Sequence, residues 1–243
     1  MIELFFIVFS ALLLLLLTIW KRKSPAKFRL INAFTRLYHA IGLSIEDGTR
    51  LHISLGRGDL LTVHGGAGFA GLGLARDVAE RTSVSDRPMI ASAGDAALAV
   101  LTQDTMLAGY EAAGVSELFP PTSGRLSGIG PFGYAAGAMP IVSDENISAN
   151  ILIGHFGPEI GLMTEAAERE HVLTIAASDD LASQSVLYAS AQEPLLGEEV
   201  YAAGAYIGAR PAHIASLAVQ DILRWLAILI ILAGSGLKFL GAF

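Results

Sequence analysis

The residues of this chain whose types and spacing could do chemistry lie around two short glycine-rich stretches. The first, Gly66-Ala67-Gly68-Phe69-Ala70-Gly71, has the form G-x-G-x-x-G. It follows the apolar run 60–64, which reads as a strand, and it opens a helical pattern to about residue 82. In a strand–turn–helix setting, glycines at this spacing let backbone N–H groups and a helix N-terminus receive a pyrophosphate. Asp95 closes the next strand pattern, 88–93, where a carboxylate can take ribose hydroxyls. Gly66, Gly68, Gly71 and Asp95 are therefore the expected cofactor-binding residues, the cofactor itself being unknown. No lysine or arginine stands in the turn. The same glycines would serve tight packing of a helix on a strand, which is the competing reading.

The remaining chemistry is sparser. His64-Gly65-Gly66 is similar to the oxyanion loops of esterases, but no G-x-S-x-G elbow accompanies it, which argues against a serine hydrolase. The six histidines show no zinc spacing, so no metal centre is assigned, and no catalytic residue is assigned either. His64 and His155 lie beside the two glycine-rich stretches, where a shared metal or acid–base role competes with that of ordinary strand-end histidines. Asp179-Asp180 reads either as a cation site with Asp95 or as a helix N-cap. The balance leans away from an enzyme.

These residues need elements to position them. Residues 50–55, RLHISL, alternate and read as a strand with one exposed face. A helix from Asp95 to about residue 113 closes at Gly114, and residues 115–149 form an irregular, glycine- and proline-punctuated join. A strand at 150–153, a turn, a helix over 159–170, a strand at 171–177 and a helix from Asp180 follow. Pro194 breaks that helix and another runs from Glu198.

The second half looks like a copy of the first. A shift of 88 matches Gly66, Gly73, Ala79, Glu80 and Arg81 to Gly154, Gly161, Ala167, Glu168 and Arg169. A shift of 85 matches Ile90, Ala91, Asp95 and Ala97 to Ile175, Ala176, Asp180 and Ala182. The expected fold is thus α/β, with duplicated β-α-β-α halves at about 50–114 and 150–208 forming a mainly parallel sheet. Such a sheet binds ligands beyond the carboxyl ends of its strands.

Both ends are apolar. Residues 4–20 carry no charge and span about 25 Å as a helix. Residues 225–243 are interrupted only by Lys238. The chain therefore divides into a transmembrane helix at 2–20, a juxtamembrane amphipathic helix at 24–42, an α/β domain at 43–213 and a second transmembrane helix at 222–243. Lys21, Arg22, Lys23, Lys27, Arg29 and Arg36 follow the first span. The positive-inside rule then puts the domain in the cytoplasm of a cell (inner) membrane protein, with both termini outside. Between residues 37 and 213 stand eight arginines, no lysine and twenty-one carboxylates, a balance of −13. An acidic body excludes nucleic acid as a partner. With no cysteine there is neither a disulfide framework nor thiolate chemistry.

This arrangement of spans and glycine-rich α/β halves resembles two-pass bacterial membrane proteins that carry a cytoplasmic domain of unknown function. The resemblance implies no activity. The leading expectation is a membrane-anchored, non-enzymatic scaffold that self-assembles. Its partners are the lipid bilayer, further copies of the chain and other membrane proteins. The alternative is a membrane-tethered nucleotide or small-ligand sensor using the glycine-rich turn.

Overall fold

The computed structural model of the protein describes residues 2–22, 28–58, 60–62, 64–208 and 210–239. Six strands, β1 (Arg50–Gly56), β2 (Ile90–Ala93), β3 (Gly124–Leu126), β4 (Ile147–His155), β5 (Leu173–Ser178) and β6 (Glu193–Leu195), pair in parallel in the order β3-β2-β1-β4-β5-β6. The helices are α1 (Ile2–Lys21), α2 (Asn32–Glu46), α3 (Gly65–Thr82), α4 (Ala96–Ala113), α5 (Pro131–Asp144), α6 (Ile160–Arg169), α7 (Leu181–Ser190), α8 (Ala203–Ile207) and α9 (Pro211–Phe239). Helices drawn from residues 29–208 cover both faces of the sheet. The α/β class, the parallel sheet and the apolar terminal helices are as the sequence predicts.

The chain forms two compact units. One contains α1 and α9, which contact each other. Both helices are long and apolar enough to cross a membrane. Leu12, Leu15, Leu16, Ile230, Ile231 and Leu232 all stay more than half exposed. The second helix begins at Pro211, earlier than the expected 222, with the proline at a position where its missing N–H costs nothing.

The other unit, Arg29–Gly208, holds the sheet and its core. One layer of that core packs Tyr134 and Ala138 of α5, Ile160 and Met163 of α6 and Leu187 of α7 on Leu152 of β4 and Ala176 of β5. On the opposite face α3 crosses β1 and β4. The unit begins and ends at neighbouring points. The Tyr206 hydroxyl donates to the Arg29 carbonyl at 2.9 Å, and the Arg29 guanidinium pairs with Glu199.

Several local expectations give way to packing. β1 has no exposed face, because α3 and α5 pack against it while β2 and β4 pair along its edges. Its fully buried polar side chains, His52 and Ser54, are satisfied internally. His52 bonds Asn150 through Nδ1 and Ser92 through Nε2, each at 2.8 Å, and the Tyr134 hydroxyl reaches Ser54 and Ser92. No strand forms at the described residues of 60–64: residues 60–62 make a turn, with Leu61 fully in solvent. The strand preceding the glycines is β1, and the run 57–64 is a connection.

The irregular join at 115–149 contains β3 and all of α5, which together complete the crossover to β4. Pro131 starts α5 at its first turn, and Pro140 lies inside it. A Cβ on Gly137 would collide with the Ser127 carbonyl, so that glycine sets the distance at which α5 packs. Glu193–Leu195, expected as a helix break, is the edge strand β6, where Pro194 is tolerated.

The juxtamembrane helix expected at 24–42 is α2, Asn32–Glu46; residues 23–27 lie outside the described residues. Gly42 does not end it. Its apolar stripe, Ala33, Phe34, Leu37, Ala40 and Ile41, is buried within the α/β unit.

Candidate functional site

The strand order turns back between β1 and β4. From β1 the chain passes to α3 on one face of the sheet, and from β4 it passes to α6 on the other. Such a switch point leaves a crevice outside the carboxyl ends of the strands, where doubly wound sheets bind ligands. Three connections reach it: 57–64 after β1, 156–159 after β4, and 179–180 after β5.

Each connection contributes a chemically active side chain. His64, the residue before α3, makes no capping bond to that helix. Its Nδ1 instead lies 3.0 Å from Oδ2 of Asp179, and Nδ1 of His155 lies 2.7 Å from Oδ1 of the same carboxylate. The two imidazoles stack with centroids 3.9 Å apart and planes 29° from parallel. The side chains of Asp179 and His155 are 10% and 14% exposed, and His64, at 44%, opens to solvent.

Glycine makes this convergence feasible. A Cβ on Gly58 would stand 2.8 Å from Cβ of His155 and 3.2 Å from the His64 carbonyl oxygen. Gly56 takes φ +73° as the chain leaves β1, a conformation that favours glycine. One carboxylate with an imidazole on each oxygen can orient two general bases, or can join them as a ligand set for a metal ion.

Beside this cluster, Arg57 Nε donates to Oε1 of Glu159 at 2.8 Å, and the Gly157 amide donates to the same oxygen at 2.9 Å. Burial pushes the Glu159 carboxyl up, but the bonds from Arg57 and Gly157 outweigh it and hold the group below the usual carboxylate range. The Tyr201 hydroxyl is raised by burial and then by the charge of Asp179. Asp180 does not join the cluster. It caps α7 by accepting from the Ser183 amide at 2.8 Å, which holds its carboxyl below the ordinary value.

Of the residues expected to bind a cofactor, Gly66, Gly68 and Gly71 all lie within α3 and not in a turn before it. Gly66 is exposed, and a Cβ there would meet only the Tyr201 ring at 3.5 Å. Gly68 is buried under Leu60 and Leu98. A Cβ on Gly71 would stand 2.5 Å from Leu55 Cδ2 and 2.6 Å from the Ile153 carbonyl oxygen, so this glycine brings α3 onto the β1–β4 junction. Asp95 is the N-cap of α4, accepting from the Leu98 amide at 2.9 Å.

The residues matched by the shift of 85 occupy equivalent places: Asp95 and Asp180 each cap the helix that follows a strand. The shift of 88 fails at its start, since Gly66 is helical whereas Gly154 is in β4.

The sequence offers a shared role for His64 and His155, but it reads Asp179-Asp180 as a cation site with Asp95 or as a helix N-cap and not as their partner. It misses the Arg57–Glu159 pair altogether. A separate groove of about 410 Å³ runs over α5 and α6 past Met139, Leu162 and Glu165. The ion pair along it, Arg169–Glu165, is exposed on both sides, unlike the buried Asp179 carboxylate of the crevice.

Strand order and crevice together define a doubly wound parallel α/β protein. The whole chain, residues 1–243, matches the model of DUF6754, a domain of unknown function, and the protein belongs to that family. Neither the curated proteins nor the solved structures offer a match to the chain.

Proposed function

We propose that the protein is a membrane-tethered small-ligand sensor, anchored by α1 and α9, whose ligand enters the crevice at the carboxyl ends of β1, β4 and β5. One observation carries this reading: Arg57 and His64 after β1, His155 at the end of β4 and Asp179 after β5 converge on a single switch point. Convergent polar groups at such a position are the usual mark of a binding site. The basic residues after α1 favour a cytoplasmic position for the α/β unit and an inner-membrane location. The fingerprint glycines serve this reading by seating α3, with Gly66 alone of the three facing solvent. Duplication of an ancestral half remains the account we favour for the paired caps Asp95 and Asp180.

The test is thermal unfolding of the full chain in detergent with ATP, GTP, NAD and divalent metal salts, each added separately. At least one probe should raise the melting temperature of the wild type. Gly66→Trp, which covers the first turn of α3, should abolish that rise. No shift with any probe would remove the reading.

A second reading, self-assembly into a scaffold, is favoured by Ile129 and Phe132, which stand 82% and 72% exposed in the short stretch after β3. Apolar side chains exposed together mark interaction surfaces. It predicts a discrete homo-oligomer after detergent extraction that Phe132→Glu dissociates. A monomer across a wide concentration range would sink it.

A further inference from the structure

We propose that His64, His155 and Asp179 form a binding site for a single divalent transition-metal ion of the zinc type. This rests on the crevice reading above and names the ligand class. One ligand atom from each of His64, His155 and Asp179 lies within 4.8 Å of the other two, and Nδ1 of each histidine faces the Asp179 carboxylate. Ligands at about 2.0–2.1 Å from a tetrahedral zinc ion stand roughly 3.4 Å apart. The two nitrogen–oxygen separations, 2.7 and 3.0 Å, are a few tenths of an ångström short of that, as expected when a proton and not a cation joins them.

The exchange is balanced. In the metal-free protein each Nδ1–H donates to Asp179. On binding, each imidazole proton moves to Nε2, and the cation takes the two freed lone pairs and the carboxylate. Two neutral imidazoles and one carboxylate suit a borderline cation better than magnesium or calcium, which prefer oxygen. Three protein ligands leave a fourth position open, and His64 opens that side to solvent.

Charge decides between a cation and a phosphate at this place. The balance of −13 over residues 37–213 draws cations toward the unit and repels anions. The nearest guanidinium, Arg57, is already neutralised by Glu159. Among the described residues, the other groups facing the cluster are the Tyr201 hydroxyl and Asp180, whose carboxylate is committed to the Ser183 amide. Gly58 adds an independent sign of a built site, since any side chain there would push the two histidines apart.

The experiment is calorimetric titration of Zn²⁺ into the EDTA-treated full chain in detergent, repeated with Co²⁺ to record its visible ligand-field bands. The wild type should bind one ion per chain with four-coordinate bands. Asp179→Asn, His155→Gln and His64→Gln should each weaken binding by at least about tenfold. His64→Gln decides the matter if the more buried variants fail to fold, because His64 is the most exposed of the three. Equal affinity in wild type and His64→Gln, or no binding by the wild type, overturns the metal site. If a nucleotide still raises the wild-type melting temperature in that case, the crevice reading survives alone; if nothing does, both fall.

Discussion

His52 lies fully buried between Asn150 and Ser92 at the centre of the sheet. Burial pushes its pKa down to about 4; the bond to Asn150 opposes that shift, and the charge of Arg125 adds to it. The unfolded chain takes up a proton at this residue near pH 6.5, whereas the folded chain does so only near pH 4. The stability it contributes is complete above pH 6.5 and is lost as pH falls through that window, by roughly 3 kcal/mol in total. His52→Gln removes that loss. Denaturant titrations at pH 7 and pH 4 should show the wild type losing about 3 kcal/mol relative to the variant.

The fingerprint glycines make a second test at this scale. Gly71→Ala should destabilise by about 1–3 kcal/mol, because its methyl group meets the Ile153 carbonyl. Gly66→Ala should be neutral or stabilise by up to about 1 kcal/mol, since it adds a helix former in ordinary contact with Tyr201. Equal effects at the two positions would contradict the packing of α3 described above.

Among the elements, those with local chemistry at their ends were legible. Asp95 and Gly114 bracket α4, and Asp180 opens α7, as expected from capping rules that need no tertiary context. Asp95→Ala and Asp180→Ala should each cost about 1 kcal/mol in thermal or denaturant unfolding. α5 was illegible for the opposite reason. Gly133, Gly137 and Pro140 all argue against a helix locally, and only the close seat on Ser127 explains Gly137.

The run 60–64 shows how weak a short apolar stretch is as a strand signal when the sheet has no position for it. The polar alternation of β1 suggested an exposed face because His52, Ser54, Asn150 and Tyr134 find one another only in three dimensions. The candidate site was half visible for the same reason. His64 and Asp179 are 115 residues apart, and only the strand order brings the ends of β1, β4 and β5 together.

The whole molecule divides its tasks between two units of opposite character. Nearly all buried residues belong to Arg29–Gly208, which also carries most of the acidic surface. Produced without α1 and α9, that unit should remain in the supernatant after ultracentrifugation and unfold in one cooperative transition. The full chain should sediment with membranes and need detergent to leave them. A fragment that aggregates under all conditions would show that the core depends on the apolar pair.

The bond between Tyr206 and Arg29 has a consequence for how such a chain can change over generations. The α/β unit starts and finishes at one spot, so its two ends can be closed by a short link. It can be lifted out of its chain, or spliced into a loop of another host, with little strain on its own fold. The same adjacency means that joining residues 29 and 208 by a few residues and opening the chain elsewhere, for instance after Gly114, should yield a circular permutant with the same sheet.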